Sequence, residues 1–88
     1  MKSLEKELII LLEWLCAHWG FCSIPEVDRL KITKSQHISG SEFAKAVLKA
    51  EGMDSESEIE WMRRLRNCFI ERFGATEVSA HDFDRGME

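Results

Sequence analysis

Leu4, Leu8, Leu11, Leu12, Leu15 and Trp19 recur at intervals of three and four residues, the spacing that lines one face of an α-helix. Ser3 precedes them with a hydroxyl suited to an N-cap, and Gly20 follows as a residue that ends helices readily. The pattern predicts a first helix over about residues 4 to 19. Ile9, Ile10 and Trp14 widen its apolar surface beyond a single stripe, so this helix must be covered on more than one side.

Beyond Gly20 the chain is punctuated by serines with a carboxylate three residues on, the pattern in which hydroxyl and carboxylate each satisfy a free amide of a helix's first turn. Ser23 with Glu26 predicts a short helix with Val27 and Leu30 inward, fading near Ile32 into the polar run TKSQH. Ser39 with Glu42 opens a helix carrying Phe43, Ala46, Val47 and Ala50 inward and Lys45 and Lys49 outward, ended by Gly52. Ser55 with Glu58 precedes a long helix whose inward stripe is Ile59, Met62, Leu65, Phe69 and Phe73, closed by Gly74. Ser79 with Asp82 starts a last short helix that frays at Gly86. No strand of ordinary length is indicated. The expected fold class is therefore all-α: one domain over residues 1–88, a small bundle of four or five helices, with helix-loop-helix units over about 23–52 and 55–87.

Two heptads forty residues apart, HISGSEF (37–43) and EVSAHDF (77–83), read alike at four places. Each places a β-branched residue and a serine before a carboxylate and a phenylalanine: Ile38, Ser39, Glu42 and Phe43, then Val78, Ser79, Asp82 and Phe83. Such residues suit a junction from loop to helix, with the β-branched and aromatic side chains buried and the polar pair capping. Two such junctions would let Ile38 and Val78 pair as a minimal β-bridge. Over residues 23 to 87 this arrangement resembles a paired EF-hand, and a generic orthogonal bundle of four or five helices stands beside it as the alternative in the same fold class.

The resemblance implies a loop with oxygen ligands at its first, third and fifth positions, glycine at the sixth and a bidentate glutamate at the twelfth. Counting back from Glu42 puts Lys31, Thr33, Ser35 and Gln36 at those places, and counting back from Asp82 puts Glu71, Phe73, Ala75 and Thr76 there. A lysine at the first ligand position opposes a cation, so no calcium site is expected. The pair is read as degenerate.

Composition narrows the class further. Hydrophobic residues make up 44% of the chain and charged residues 32%, the balance of a chain that folds around a core with a solvated shell. An 88-residue chain buries only about 60 to 65% of its unfolded surface, so marginal stability is expected. The net charge of −4 sets up no general field toward phosphates or anionic lipid. The longest apolar run, LIILL, falls far short of the roughly 20 residues a bilayer needs, and no secretory signal is read in MKSLEKEL. The expectation is a cytoplasmic chain with no membrane partner.

Three cysteines, Cys16, Cys22 and Cys68, are an odd number, which favours reduced thiols, with one bridge left geometrically open. CAHWGFC (16–22) holds Cys16, His18 and Cys22, but those cysteines straddle a helix end instead of forming a knuckle, so no zinc site is expected. Neither a glycine-rich phosphate loop nor a nucleophile beside a base is recognisable. No enzyme and no cofactor is expected.

Candidate chemistry gathers on WMRRLRNCFIERF (61–73). Glu60 is well placed to pair with Arg64 one turn on, and the helix's acidic start and basic end suit its dipole. Three tryptophans are many for so small a core, and Trp61, off the central stripe and near Arg64, is the one expected to be exposed. Aromatic and arginine neighbours are the company that binding hot spots keep. The sequence therefore points to a non-enzymatic interaction or regulatory module that binds another protein through Trp61, Arg64, Arg63 and Trp14. The alternative is a nucleic-acid-binding regulator that uses the arginine-rich helix 61–72.

Overall fold

A computed structural model describes residues 3–81. Ser3 caps α1 (Leu4–Trp19) by accepting the Lys6 amide, and Gly20 ends it with φ 79°. In that left-handed conformation, which costs glycine little, the Gly20 and Phe21 amides return to the carbonyls of Cys16 and Leu15 and close the last turn. Residues 20–25 then lead into α2 (Glu26–Thr33), β1 (His37–Ser39), α3 (Gly40–Ala50), α4 (Ile59–Phe73) and β2 (Glu77–Ser79). The described residues are mostly helical, but the two strands form a small antiparallel sheet, so the purely all-α expectation is corrected. Backbone groups that approach the core between helices need partners, and the extended residues before the two caps supply them to each other.

The sheet pairs His37 with Ser79, Ile38 with Val78, and Ser39 with Glu77. Two further backbone bonds flank it: the Gly40 amide donates to the Thr76 carbonyl at 2.8 Å, and the Ala80 amide to the Gln36 carbonyl at 2.7 Å. Each bond is the other shifted by forty residues, so the junction has a local two-fold relation centred on Ile38 and Val78. The same offset recurs in the elements. Helices end at Thr33 and Phe73, strands begin at His37 and Glu77, and the backbone is helical again at Gly40 and at Ala80. Ser39 and Glu42 form the expected capping box, each bonding the other's amide at about 3 Å. The expected Ser79–Asp82 pair reaches beyond the described residues.

The core is built around α1, which contributes Leu4, Leu8, Leu11, Leu12 and Leu15. Phe43, Ala44, Val47 and Leu48 come from α3, Leu65 and Phe69 from α4, and Ile32, Ile38 and Phe21 fill the edges. Phe69 packs against Phe43 and Phe73 with ring centroids 5.5 and 4.7 Å apart. Gly40 permits the close approach of α3 to α4. A Cβ there would lie 3.0 Å from Arg66 Cγ and 3.3 Å from Phe69 Cδ1.

Several inward assignments are corrected. Val27 and Leu30 face solvent at 63% and 43% exposure, because α2 turns Ile32 and Thr33 inward instead. Ile59 is 74% exposed, since the first turn of α4 reaches past the core and the inward stripe begins with Trp61, Met62 and Leu65. Ser23 and Glu26 form no box: Pro25 is the N-cap of α2, and the Ser23 amide instead donates to the Glu51 carboxylate at 2.9 Å. Ahead of α4, Asp54 caps the turn by accepting the Glu56 amide and the Ser57 hydroxyl, and Glu58 stands at the N-cap without a side-chain bond. Among the described residues no helix is long and apolar enough to cross a membrane.

Candidate functional site

Three of the four residues singled out from the sequence, Trp14, Trp61 and Arg64, lie along one seam, where α1 runs antiparallel to α4, and Arg63 stands off it, exposed and paired with Glu60. Three contacts fix the alignment. Glu7 accepts from Arg72 at 2.7 Å at one end, Leu11 and Trp14 share a groove with Cys68 in the middle, and Trp19 meets Trp61 at the other end. Helical periodicity brings Trp14 and His18 onto one line of α1 and Trp61, Arg64, Leu65 and Cys68 onto the facing side of α4.

At the Trp19 end the rings form a continuous row. His18 stacks on Trp14 at 4.4 Å and 16°, and Trp14 meets Trp19 edge-on at 5.2 Å. Trp19 lies 5.6 Å from Trp61, and Trp61 meets Phe21 edge-on at 5.0 Å and 84°. Offset and edge-on arrangements of this kind are the favoured ones for aromatic quadrupoles. The Arg64 guanidinium lies 5.3 Å from the centre of the Trp61 ring, within cation–π range. Glu60 holds both neighbouring arginines, Arg63 at 3.1 Å and Arg64 at 3.4 Å. The expected Glu60–Arg64 pair is present, and Arg63 joins it.

The exposed tryptophan is not the one expected. Trp14 is 37% exposed, whereas Trp61 is half-buried between Trp19 and Phe21 and packs against the core. A residue off the central stripe of α4 is still covered when a neighbouring helix lies on that side, and α1 does. Trp19, His18 and Phe21 were not singled out for the site. The signal for His18 was present in its spacing four residues after Trp14, which places one ring over the other. The His18 ring Nδ1 also bonds the Trp14 carbonyl at 3.0 Å.

Between the helices, Leu11, Trp14, Cys68, Glu71 and Arg72 line an open groove of about 230 Å³. The Cys68 thiol is pushed above its ordinary range by burial and by the Glu71 carboxylate, against a smaller opposing effect of Arg72. It therefore stays protonated and weakly nucleophilic near neutral pH. The other two cysteines overturn the expectation of reduced thiols. Cys16 and Cys22 are joined in a disulfide, with Cα atoms 4.6 Å apart, across the end of α1. The chain turns back at Gly20, which brings residues six apart into bonding range. Cys22 is exposed and Cys16 half-buried.

The loops read against calcium have a definite shape. α2 runs through Thr33 and α4 through Phe73, so Lys31, Thr33, Glu71 and Phe73 are helical and only residues 34–36 and 74–76 separate helix from strand. Glu42, at the twelfth position, bonds the Ser39 amide. Among the described residues no three of His, Cys, Asp and Glu gather closely enough to hold a metal ion. No family model, curated protein or solved structure matches the chain.

Proposed function

We propose that this chain is a non-catalytic interaction module that binds another protein through the aromatic seam of α1 and α4. The observation that carries the reading is the exposed Trp14 indole, continuous through Trp19 with Trp61 and the Arg64 guanidinium. A large aromatic left partly in water beside a stacked arginine offers apolar area and directional donors together, the combination that dominates binding energy at interfaces. Arg63 lies beside this surface through its shared partner Glu60. Trp14 is the contact anchor, Arg64 and Arg63 confer polarity, and half-buried Trp61 holds the row in place.

The scaffold is read as a degenerate EF-hand-like pair, supported by the forty-residue offset of helix ends, strands and helix starts and by the pairing of Ile38 with Val78. In this reading calcium has no role. Lys31 and Thr33, at the first and third ligand positions, lie in α2 and offer no carboxylate, and the Glu42 carboxylate serves the cap. The module works unliganded in the cytoplasm, with α1 packed along the second unit.

Capture from a lysate of the source cell tests the function. Trp14→Ala and Arg64→Glu should each lose a protein that the unaltered chain retains, with melting curves intact. Equal capture by folded variants would remove the seam from the interface. Binding to a phosphate backbone is the alternative, and it has less support because Arg63 and Arg64 already share the Glu60 carboxylate. Steep loss of binding with salt would favour it, since each phosphate contact releases a counterion.

A further inference from the structure

The Cys16–Cys22 disulfide brackets Phe21, and Phe21 is the ring that closes the aromatic row. Cys16 belongs to the last turns of α1, and Cys22 immediately follows Phe21. The bridge thus ties the residue after Phe21 back to the helix that precedes it and leaves the Phe21 backbone little freedom. Phe21 is 4% exposed and packs at right angles to Trp61, and Trp61 in turn touches Trp19 and lies under Arg64. Without the bridge, the segment after Phe21 is held by the packing of Ile24 on the core and by two hydrogen bonds near the surface, the Cys22 amide on the Gly20 carbonyl and the Ser23 amide on the carboxylate of Glu51, the C-cap of α3. Such exposed bonds open readily.

We propose that the Cys16–Cys22 bridge is a thiol–disulfide switch that sets the order of the aromatic face. This rests on the reading of that face as the binding surface and names its regulation. The reductant is a dithiol. Its thiolate attacks the Sγ of Cys22, the more exposed residue of the pair, the sulfur–sulfur bond breaks, and Cys16 leaves as a thiolate that takes up a proton. The second thiol of the reductant then displaces Cys22, so the dithiol ends as a disulfide, having supplied two electrons, and the chain gains two thiols. Cys68, half-buried on α4 with its thiol pushed up by desolvation, is a poor nucleophile and takes no part. In the oxidised chain Phe21 holds Trp61 in one position. In the reduced chain residues 20–25 loosen, Phe21 exchanges between packed and released positions, and the Trp61–Trp19 contact loses its fixed geometry.

The test uses the full chain and needs no binding partner. Alkylation after denaturation, read by intact mass, should find the Cys68 thiol alone before reduction and all three cysteines after it. Three free thiols in protein purified without reductant would overturn the proposal. Dithiothreitol should then lower the melting temperature by roughly 10 °C, as expected for opening a short cross-linked loop in a small domain. It should also weaken the near-ultraviolet dichroism of the indoles and increase their quenching by acrylamide, with helical content retained. Cys22→Ser should show the reduced signals without reductant and be unmoved by it. If full reduction lowers the melting temperature while indole dichroism and quenching stay the same, the bridge is only a staple and the switch is wrong. Since no readout depends on capture, failure here is distinct from failure of the seam as an interface.

Discussion

The β1–β2 junction and the α1–α4 seam are joined in different ways. The junction is made of backbone: three register pairs and two flanking amide bonds, set by residues immediately before two helix starts. The seam is made of side chains: five rings, a guanidinium and one close ion pair, with little main chain involved. Backbone pairing is specified by short local patterns that recur wherever the same loop-to-helix step is needed. Ring packing depends on where a distant helix happens to lie. The first tolerates changes of side chain that keep the step, and the second does not.

The largest effect should come from the core against which both regions pack. Phe69 is fully buried and packs on Phe43 behind the junction, so Phe69→Ala should cost about 3 to 5 kcal/mol in chemical denaturation, enough to unfold much of the population. Retention of most stability would mean that the core collapses onto the cavity. Trp61→Ala comes next at about 2 kcal/mol, roughly half a full core truncation, because Trp61 is only half-buried. Trp14→Ala, more exposed, should cost under about 1 kcal/mol, and equal losses at the two positions would dissolve the division between support and contact. On the junction side, Ser39→Ala should cost about 1 kcal/mol as the capping box loses its hydroxyl. A negligible loss there would show that Glu42 and the sheet hold α3 without it.

The smallest effect concerns pH. The folded-state pKa of the Cys68 thiol lies above its ordinary value of 9.0, so the fold favours the protonated form. The stability linked to it is complete below the ordinary value and is lost as pH rises through the raised one. Denaturation curves should therefore show a small decline in that alkaline range that Cys68→Ser lacks. Iodoacetamide should modify Cys68 in the native chain more slowly than in the denatured chain.

The same division explains what could be read from the sequence. The extent of α1, the end of α4 at Gly74 and the Ser39–Glu42 box were legible because each depends on residues within about one turn of one another, and the Ile38–Val78 pairing because the same local step recurs forty residues on, whereas α4 begins only at Ile59, after a turn capped by Asp54. Val27, Leu30 and Ile59 were placed inward because they are apolar, yet apolar residues are also common on surfaces, and the angle at which α2 docks decides which side is covered. Trp61 was placed outside because its own helix leaves it off the stripe, and nothing local reports that α1 lies over it. Trp14, Trp61 and Arg64 do meet in one row of contacts, but the exposure expected of Trp61 falls on Trp14. The bridge between Cys16 and Cys22 was undervalued because counting thiols carries no geometry, whereas the reversal of the chain at Gly20 does.

The antiparallel seam also bears on how the chain reaches its fold. Arg72 and Glu7 are 65 residues apart in sequence, against 40 for the paired strands and far fewer for the turn at Gly20. Closing the longest loop carries the greatest entropic cost before any contact rewards it, so local helical hairpins form early and the seam closes late. Contacts that arise after the folding barrier govern escape rather than arrival. Substitutions at Glu7, Arg72 or Trp14 should therefore quicken unfolding and leave the folding rate nearly unchanged, which makes this face the part of the molecule that sets its lifetime in the folded state.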